Sequence, residues 1–167
     1  MIKTAEYVSL GHPDKIADYI TSYILDRFME HDAKTRYAVE VMVKDNTVVL
    51  GGEICSEFVN APFEKYVKEA LREIGYDENY AAIWKNKAID INKIRVINLI
   101  GCQSCEIAQG VTADGWGDQG VFVGYACQGE EYINHELYLA RKLNRELYQK
   151  AKHSNNLGLD IKTQITK

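Results

Sequence analysis

Two runs rich in β-branched residues, "RYAVEVMVK" and "TVVLGGEIC", flank Asp45-Asn46 within residues 36–55. Nothing else in the chain restricts its fold as strongly. Val, Ile and Thr lose side-chain freedom in a helix but pack well on a pleated surface. Asp and Asn tolerate the positive φ that a two-residue hairpin turn demands. The segment therefore reads as an antiparallel hairpin, and an isolated hairpin needs something to pack against.

Amphipathic helices supply that partner. Pro13 suits a first helical position and Asp14 complements the helix dipole; Ile16, Ile20, Ile24 and Phe28, with Ala17 and Leu25, then mark one apolar face. Asn60 and Pro62 introduce a second helix, in which Phe63, Val67, Ala70, Leu71 and Ile74 keep helical spacing until Gly75 ends it. A long helix is expected from about Tyr132 to Lys152, with Ile133, Leu137, Ala140, Leu143 and Leu147 as its stripe. By composition "KIRVINLIG" reads as a buried strand. In "LDIKTQITK", Ile161, Thr163 and Ile165 face one way while Asp160, Lys162, Gln164 and Thr166 face the other. Hairpins and helices in this order predict an α+β fold with mixed and antiparallel sheets. The sequence stops inside that last strand, which is unusual for a finished domain.

At 167 residues and 46% hydrophobic content the chain has about one domain's worth of core. A net charge of -4, with no long Lys/Arg run, argues against a nucleic-acid surface. No stretch has the length or apolar character of a signal peptide or a membrane span, so no membrane partner and a cytoplasmic location are expected. Cys55, Cys102, Cys105 and Cys127 do not suggest a disulfide framework. Cys102 and Cys105 have C-x-x-C spacing, but there is no second such pair and the histidines are scattered, so ordinary thiols near a strand end are the expectation.

Chemistry concentrates in "GHPDKIAD". His12, Asp14 and Lys15 bring a base, a carboxylate and a cation to unpaired backbone donors at a helix start. That combination suits a metal-bound polyphosphate, although a cap and a dipole partner would use the same residues. Glu40 and Glu53 interrupt apolar strands. Each either meets a ligand, with Gly51-Gly52 permitting close approach, or points to solvent. In "DGWGDQGVFVGY", Gly115, Gly117 and Gly120 match G-x-G-x-x-G. A dinucleotide turn needs a helix to follow, and Val121 to Cys127 looks extended instead.

The segments "GHPDKIAD", "VVLGGEI", "GCQSCEIAQGV", "GDQGVFVGYA" and "DIKTQIT" occur in the order and approximate spacing found in S-adenosylmethionine synthetases. The chain resembles that family from about Thr4 to Lys167. The resemblance implies a fold of three similar α/β domains, with residues 1–110 as the first and 111–167 as the start of the central one. It implies methionine adenosyltransferase activity: ATP and L-methionine yield S-adenosylmethionine, with triphosphate cleaved to pyrophosphate and phosphate. Mg²⁺ and K⁺ are the implied cofactors, and a homodimer or dimer of dimers with sites between subunits is the implied assembly.

Carried over by position, His12 resembles the residue that contacts the leaving oxygen, Asp14 a Mg²⁺ ligand, and Lys15 and Lys162 the phosphate-side cations. Glu40 is similar to the K⁺ carboxylate. Glu53 and Gln103 resemble methionine-pocket residues, Asp118 a methionine or nucleoside carboxylate, and Asp160 a nucleoside contact. Glu6 matches a family position to which no role is assigned. The glycine segment resembles the family's "GAGDQG" loop rather than a dinucleotide turn.

There are departures. Leu10 stands where the family usually has Glu, Trp116 replaces a small residue, and "QSCE" replaces "QSPD". Family chains run to more than twice this length, and their second half supplies another Mg²⁺ aspartate and further Lys/Arg contacts. A non-catalytic nucleotide-binding or assembly module is therefore the alternative to an enzyme, and a dinucleotide-dependent oxidoreductase rests on the glycines alone.

Overall fold

The computed structural model describes residues 2–102 and 121–167. Its regular elements in chain order are β1 (Thr4–Val8), α1 (Pro13–His31), β2 (Arg36–Lys44), β3 (Thr47–Cys55), α2 (Phe63–Ile74), α3 (Glu78–Trp84), β4 (Arg95–Cys102), α4 (His135–Ala151) and β5 (Lys162–Thr166). They form the α+β arrangement expected, with a two-stranded sheet β1-β5 and a three-stranded sheet β2-β3-β4 among the described residues.

The hairpin forms as its sequence requires. β2 and β3 pair antiparallel from Arg36↔Cys55 to Lys44↔Thr47, and Asp45 takes φ 53° in the turn. Val48 and Leu50 alternate inward and are fully buried against Ile16, Ile20 and Ile24 of α1 and Val67 and Leu71 of α2. Gly52 adopts φ +118°, and a Cβ there would stand 2.1 Å from the Ala38 carbonyl oxygen, so the hairpin tolerates no side chain at that position. α2 ends at Gly75 as expected, with its N–H bonded back to Leu71 and Arg72.

Two expectations need correction. "KIRVINLIG" forms β4, parallel to β3 from Thr47↔Arg95 to Ile54↔Cys102, but it is not a buried strand. Ile94, just before the strand, is buried in the core and Val96 and Ile100 pack against it, while Leu99 is 67% exposed. Among the described residues the helices cover one face of this sheet, so Ile97 and Leu99 lie on the other.

The second correction concerns α4. It spans His135–Ala151 rather than 132–152, and its buried side is Glu136, Ala140, Asn144, Tyr148 and Ala151. Leu143, expected in the core, is 45% exposed. The reason is polar. The Asn144 amide donates to the Tyr7 and Ile161 carbonyls at 3.2 Å each, and Thr163 Oγ1 donates to the Ala140 carbonyl at 2.9 Å. These bonds turn the helix so that its hydrogen-bonding side, not its leucine stripe, meets the β1-β5 ribbon. Apolar periodicity cannot register that.

β5 keeps its expected alternation, with Ile161 and Thr163 buried and Lys162 and Gln164 exposed. It pairs antiparallel with β1 from Thr4↔Thr166 to Val8↔Lys162, so the two ends of the chain lie side by side. The core is shared: Tyr148, Ala151, Leu159 and Ile161 pack with α1 and α2. The Tyr148 hydroxyl donates to the Ile74 carbonyl at 2.6 Å, and burial pushes its pKa up to about 12. The expected boundary at residue 110 lies outside the described residues. α3 was not anticipated. It stacks Tyr80 on Trp84 with ring centroids 5.7 Å apart.

Candidate functional site

The mouth of α1 is built by Ser9 and Gly11. Ser9 is 2% exposed; its hydroxyl donates to the Leu159 carbonyl at 2.6 Å and accepts from the Ile161 N–H at 2.9 Å. A Cβ on Gly11 would stand 2.4 Å from the Leu159 oxygen, so only glycine lets the turn approach this closely. The Tyr76 hydroxyl then fixes the Gly11 carbonyl at 2.6 Å. By these contacts the segments "GHPDK" and "LDIK" become neighbours.

His12 is the N-cap of α1, with extended φ -77° and ψ 142°. Its Nδ1 accepts from the Asp14 N–H at 3.2 Å, which leaves Nε2 as the ring's N–H donor. The cap and the site are thus compatible roles for one ring. Asp14, in the first turn, is 84% exposed, with Oδ2 3.8 Å from His12 Nδ1. Lys15 lays its ammonium 5.2 Å from the centre of the Tyr7 ring. Lys162, on β5, pairs with Glu6 at 2.6 Å. Asp160 is exposed and borders a cavity of ≈ 470 Å³ that Gly11, Pro13, Asn46, Tyr76 and Trp84 also line.

Glu40 and Glu53 are not brought to this mouth. Glu40 lies opposite Gly51 and Glu53 opposite Ala38, which makes the two carboxylates diagonal neighbours on the face of the β2-β3-β4 sheet away from α1 and α2. Among the described residues a Cβ at Gly51 or Gly101 would meet nothing within 4 Å, so nothing described covers this face. Gln103 and Asp118 lie outside the described residues, as does the segment from Gly115 to Gly120.

Among the described residues no three His, Cys, Asp or Glu side chains cluster closely enough to hold a metal. Asp14 alone is not an all-protein metal site. One exposed carboxylate does fit Mg²⁺ carried on a polyphosphate, because that ion keeps its waters and uses one or two carboxylates plus phosphate oxygens. Glu40 could serve K⁺ only as one oxygen donor among others. Sequence reasoning overlooked Tyr7 and the pairing of Glu6. Only the parity of β1 hinted that Glu6 and Tyr7 face opposite sides.

Comparison with known proteins matches residues 1–105 to the family described as "S-adenosylmethionine synthetase, N-terminal domain" and residues 113–167 to "S-adenosylmethionine synthetase, central domain". The chain belongs to the S-adenosylmethionine synthetase family. The S-adenosylmethionine synthase of Sulfurimonas denitrificans is 39% identical over 99% of this chain and 42% of its own length. That of Paramagnetospirillum magneticum is 37% identical over 98% of this chain and 42% of its own. A solved structure described as an unusual S-adenosylmethionine synthetase from Campylobacter jejuni superposes with TM-score 0.86 at 37% identity, covering 99% of this chain and 42% of that one. The chain thus spans less than half the length of these synthetases. Membership removes the support for the dinucleotide reading, and so does the local structure. No helical turn follows Gly120 before Glu130, and residues 121–127 form no paired strand.

Proposed function

We propose that this chain contributes the N-terminal and central-domain share of a methionine adenosyltransferase site, with residues 1–110 and 111–167 as the two parts. The observation that carries the reading is the Ser9 stitch, which joins the segment of His12, Asp14 and Lys15 to the segment of Asp160, a neighbour of Gly11 and Pro13 in one cavity. In the reaction the methionine sulfur forms a bond to C5′ of ATP while the C5′–O bond breaks, its electron pair passing to the triphosphate. Sulfur is already nucleophilic, so the protein must align the reactants and stabilise the departing charge. The His12 Nε2–H and the two lysines are donors suited to that task. Mg²⁺ bound through Asp14 would neutralise phosphate oxygens, and K⁺ would sit against Glu40.

ATP and L-methionine are the proposed substrates. Glu53, Gln103 and Asp118 are assigned to methionine or nucleoside binding, and Asp160 to the nucleoside. Because Glu40 and Glu53 face away from the α1 mouth, a site using both sets needs a second copy of the chain, which supports a homodimer or dimer of dimers. Among the described residues no helix is long and apolar enough to cross a membrane, which is compatible with the proposed cytoplasmic location.

One observation favours a second reading, a non-catalytic nucleotide-binding or assembly module: Glu6 already neutralises Lys162. Purified chain should be titrated with tripolyphosphate with and without Mg²⁺, then incubated with ATP, methionine, Mg²⁺ and K⁺ for mass spectrometry. Mg²⁺-dependent binding with S-adenosylmethionine formation near background is expected of the 167 residues by themselves, because each missing contact to the leaving group typically costs about 10²–10³ in rate. No tripolyphosphate binding at all would sink the polyphosphate site. Robust turnover that His12→Asn abolishes would show that these residues suffice.

A further inference from the structure

Consecutive residues of β1 hold the two lysines of the candidate site, and they do so by different means. Glu6 takes Lys162 in an ion pair at 2.6 Å. Tyr7, on the opposite face, takes Lys15 through its ring, with Nζ 5.2 Å from the centroid. A carboxylate cancels a lysine's charge and competes with any anionic ligand. An aromatic face orders an ammonium through its quadrupole and leaves the formal charge intact. Among the described residues Lys15 has no hydrogen-bond or ion-pair partner, so its charge is uncommitted.

The backbone that carries the ring is well anchored. Tyr7 pairs with Thr163 across the ribbon, and its carbonyl accepts from the Asn144 amide at 3.2 Å. The Arg141 guanidinium lies 5.7 Å from the same ring and is held in turn by Glu131 at 2.9 Å. Beside Lys15 is a cavity of ≈ 180 Å³, also lined by Leu10 and Arg145, into which an unrestrained lysine stem is free to swing.

We propose that Tyr7 is a positioning residue for Lys15, fixing its ammonium near the α1 mouth with full charge for a polyphosphate ligand. The ligand part rests on the reading given under Proposed function. The position of the ammonium does not. Lysine loses several rotatable bonds' worth of freedom when it binds a ligand, and a lysine already ordered on a ring loses less.

The test uses the full chain as wild type, Tyr7→Phe, Tyr7→Leu, Lys15→Met and the Tyr7→Leu/Lys15→Met double variant. Without ligand, carbon–proton NMR should show the Lys15 ε-methylene protons shifted upfield by the ring in wild type and Tyr7→Phe, and unshifted in Tyr7→Leu. Calorimetry with magnesium tripolyphosphate should find Tyr7→Phe within about twofold of wild type and Tyr7→Leu about two- to fivefold weaker. In the Lys15→Met background, Tyr7→Leu should add nothing. Identical Lys15 shifts in wild type and Tyr7→Leu would overturn the proposal, as would an equal affinity loss with and without Lys15. If wild type binds no tripolyphosphate, the ligand role falls, and the NMR shift alone decides whether Tyr7 holds Lys15. Should Tyr7→Leu not fold, Tyr7→Thr, a residue suited to a strand, carries the same comparison.

Discussion

Ser9 and Leu159 are joined by a buried hydrogen bond of 2.6 Å across 150 positions of sequence. Because the same hydroxyl accepts from the Ile161 N–H, Ser9→Ala would leave both a buried carbonyl and a buried N–H without a partner. We expect a loss of about 1–3 kcal/mol in urea denaturation. Ser9→Thr keeps the hydroxyl and should recover part of it. An unchanged midpoint in Ser9→Ala would show that the stitch does not hold the two segments together.

Asp14 should govern metal-dependent binding. Asp14→Asn is expected to weaken magnesium tripolyphosphate by about tenfold or more, equivalent to about 1.4 kcal/mol. Asp45→Asn is the matched control, since Asp45 borders the neighbouring cavity and asparagine tolerates its φ of 53°. It should stay within about twofold of wild type. Equal effects in calorimetry would remove Asp14 from the metal site.

Leu99 should report assembly. It is 67% exposed on the sheet face that also carries Glu40, Glu53 and Met42, itself 60% exposed. If a second copy covers this face, Leu99→Glu places a charge in the interface and shifts the mass measured by light scattering toward the monomer. A wild-type chain that is monomeric and stably folded at micromolar concentration would refute the composite site.

Asp32 gives a stability effect with a definite sign. The backbone N–H of Glu57 at 3.0 Å, that of Lys34 at 2.9 Å and the Ser56 hydroxyl at 3.0 Å all favour its ionised form, and its pKa is lowered. A lowered folded-state pKa contributes stability that is present above the unfolded value, about 3.9, and is lost as pH falls through the folded value. Asp32→Asn should therefore be less stable than wild type at pH 7, with the gap closing as pH drops below about 4. A gap that is constant with pH would assign the effect to packing.

Much of this protein was legible in its sequence because the relevant physics is local. The β-branched runs around Asp45-Asn46 set the hairpin, and Pro13 and Asp14 set the start of α1. The alternation of "DIKTQIT" told which of its residues would be buried. His12 and Asp14 were nominated by residue type at a helix mouth, and the family resemblance supplied the remaining positions.

Tertiary structure decided what depends on partners distant in sequence. It turned α4 onto Asn144 because an amide needs carbonyls that only β1 and β5 provide. β4 became a half-exposed strand because, among the described residues, the helices reach one side of the sheet. Glu6 was set against Lys162 and Tyr7 against Lys15 because adjacent residues of a strand face opposite sides, and what waits on each side is brought there by segments far away in the chain. Periodicity in the sequence determines which side a residue faces, whereas only the packed chain determines what it meets there.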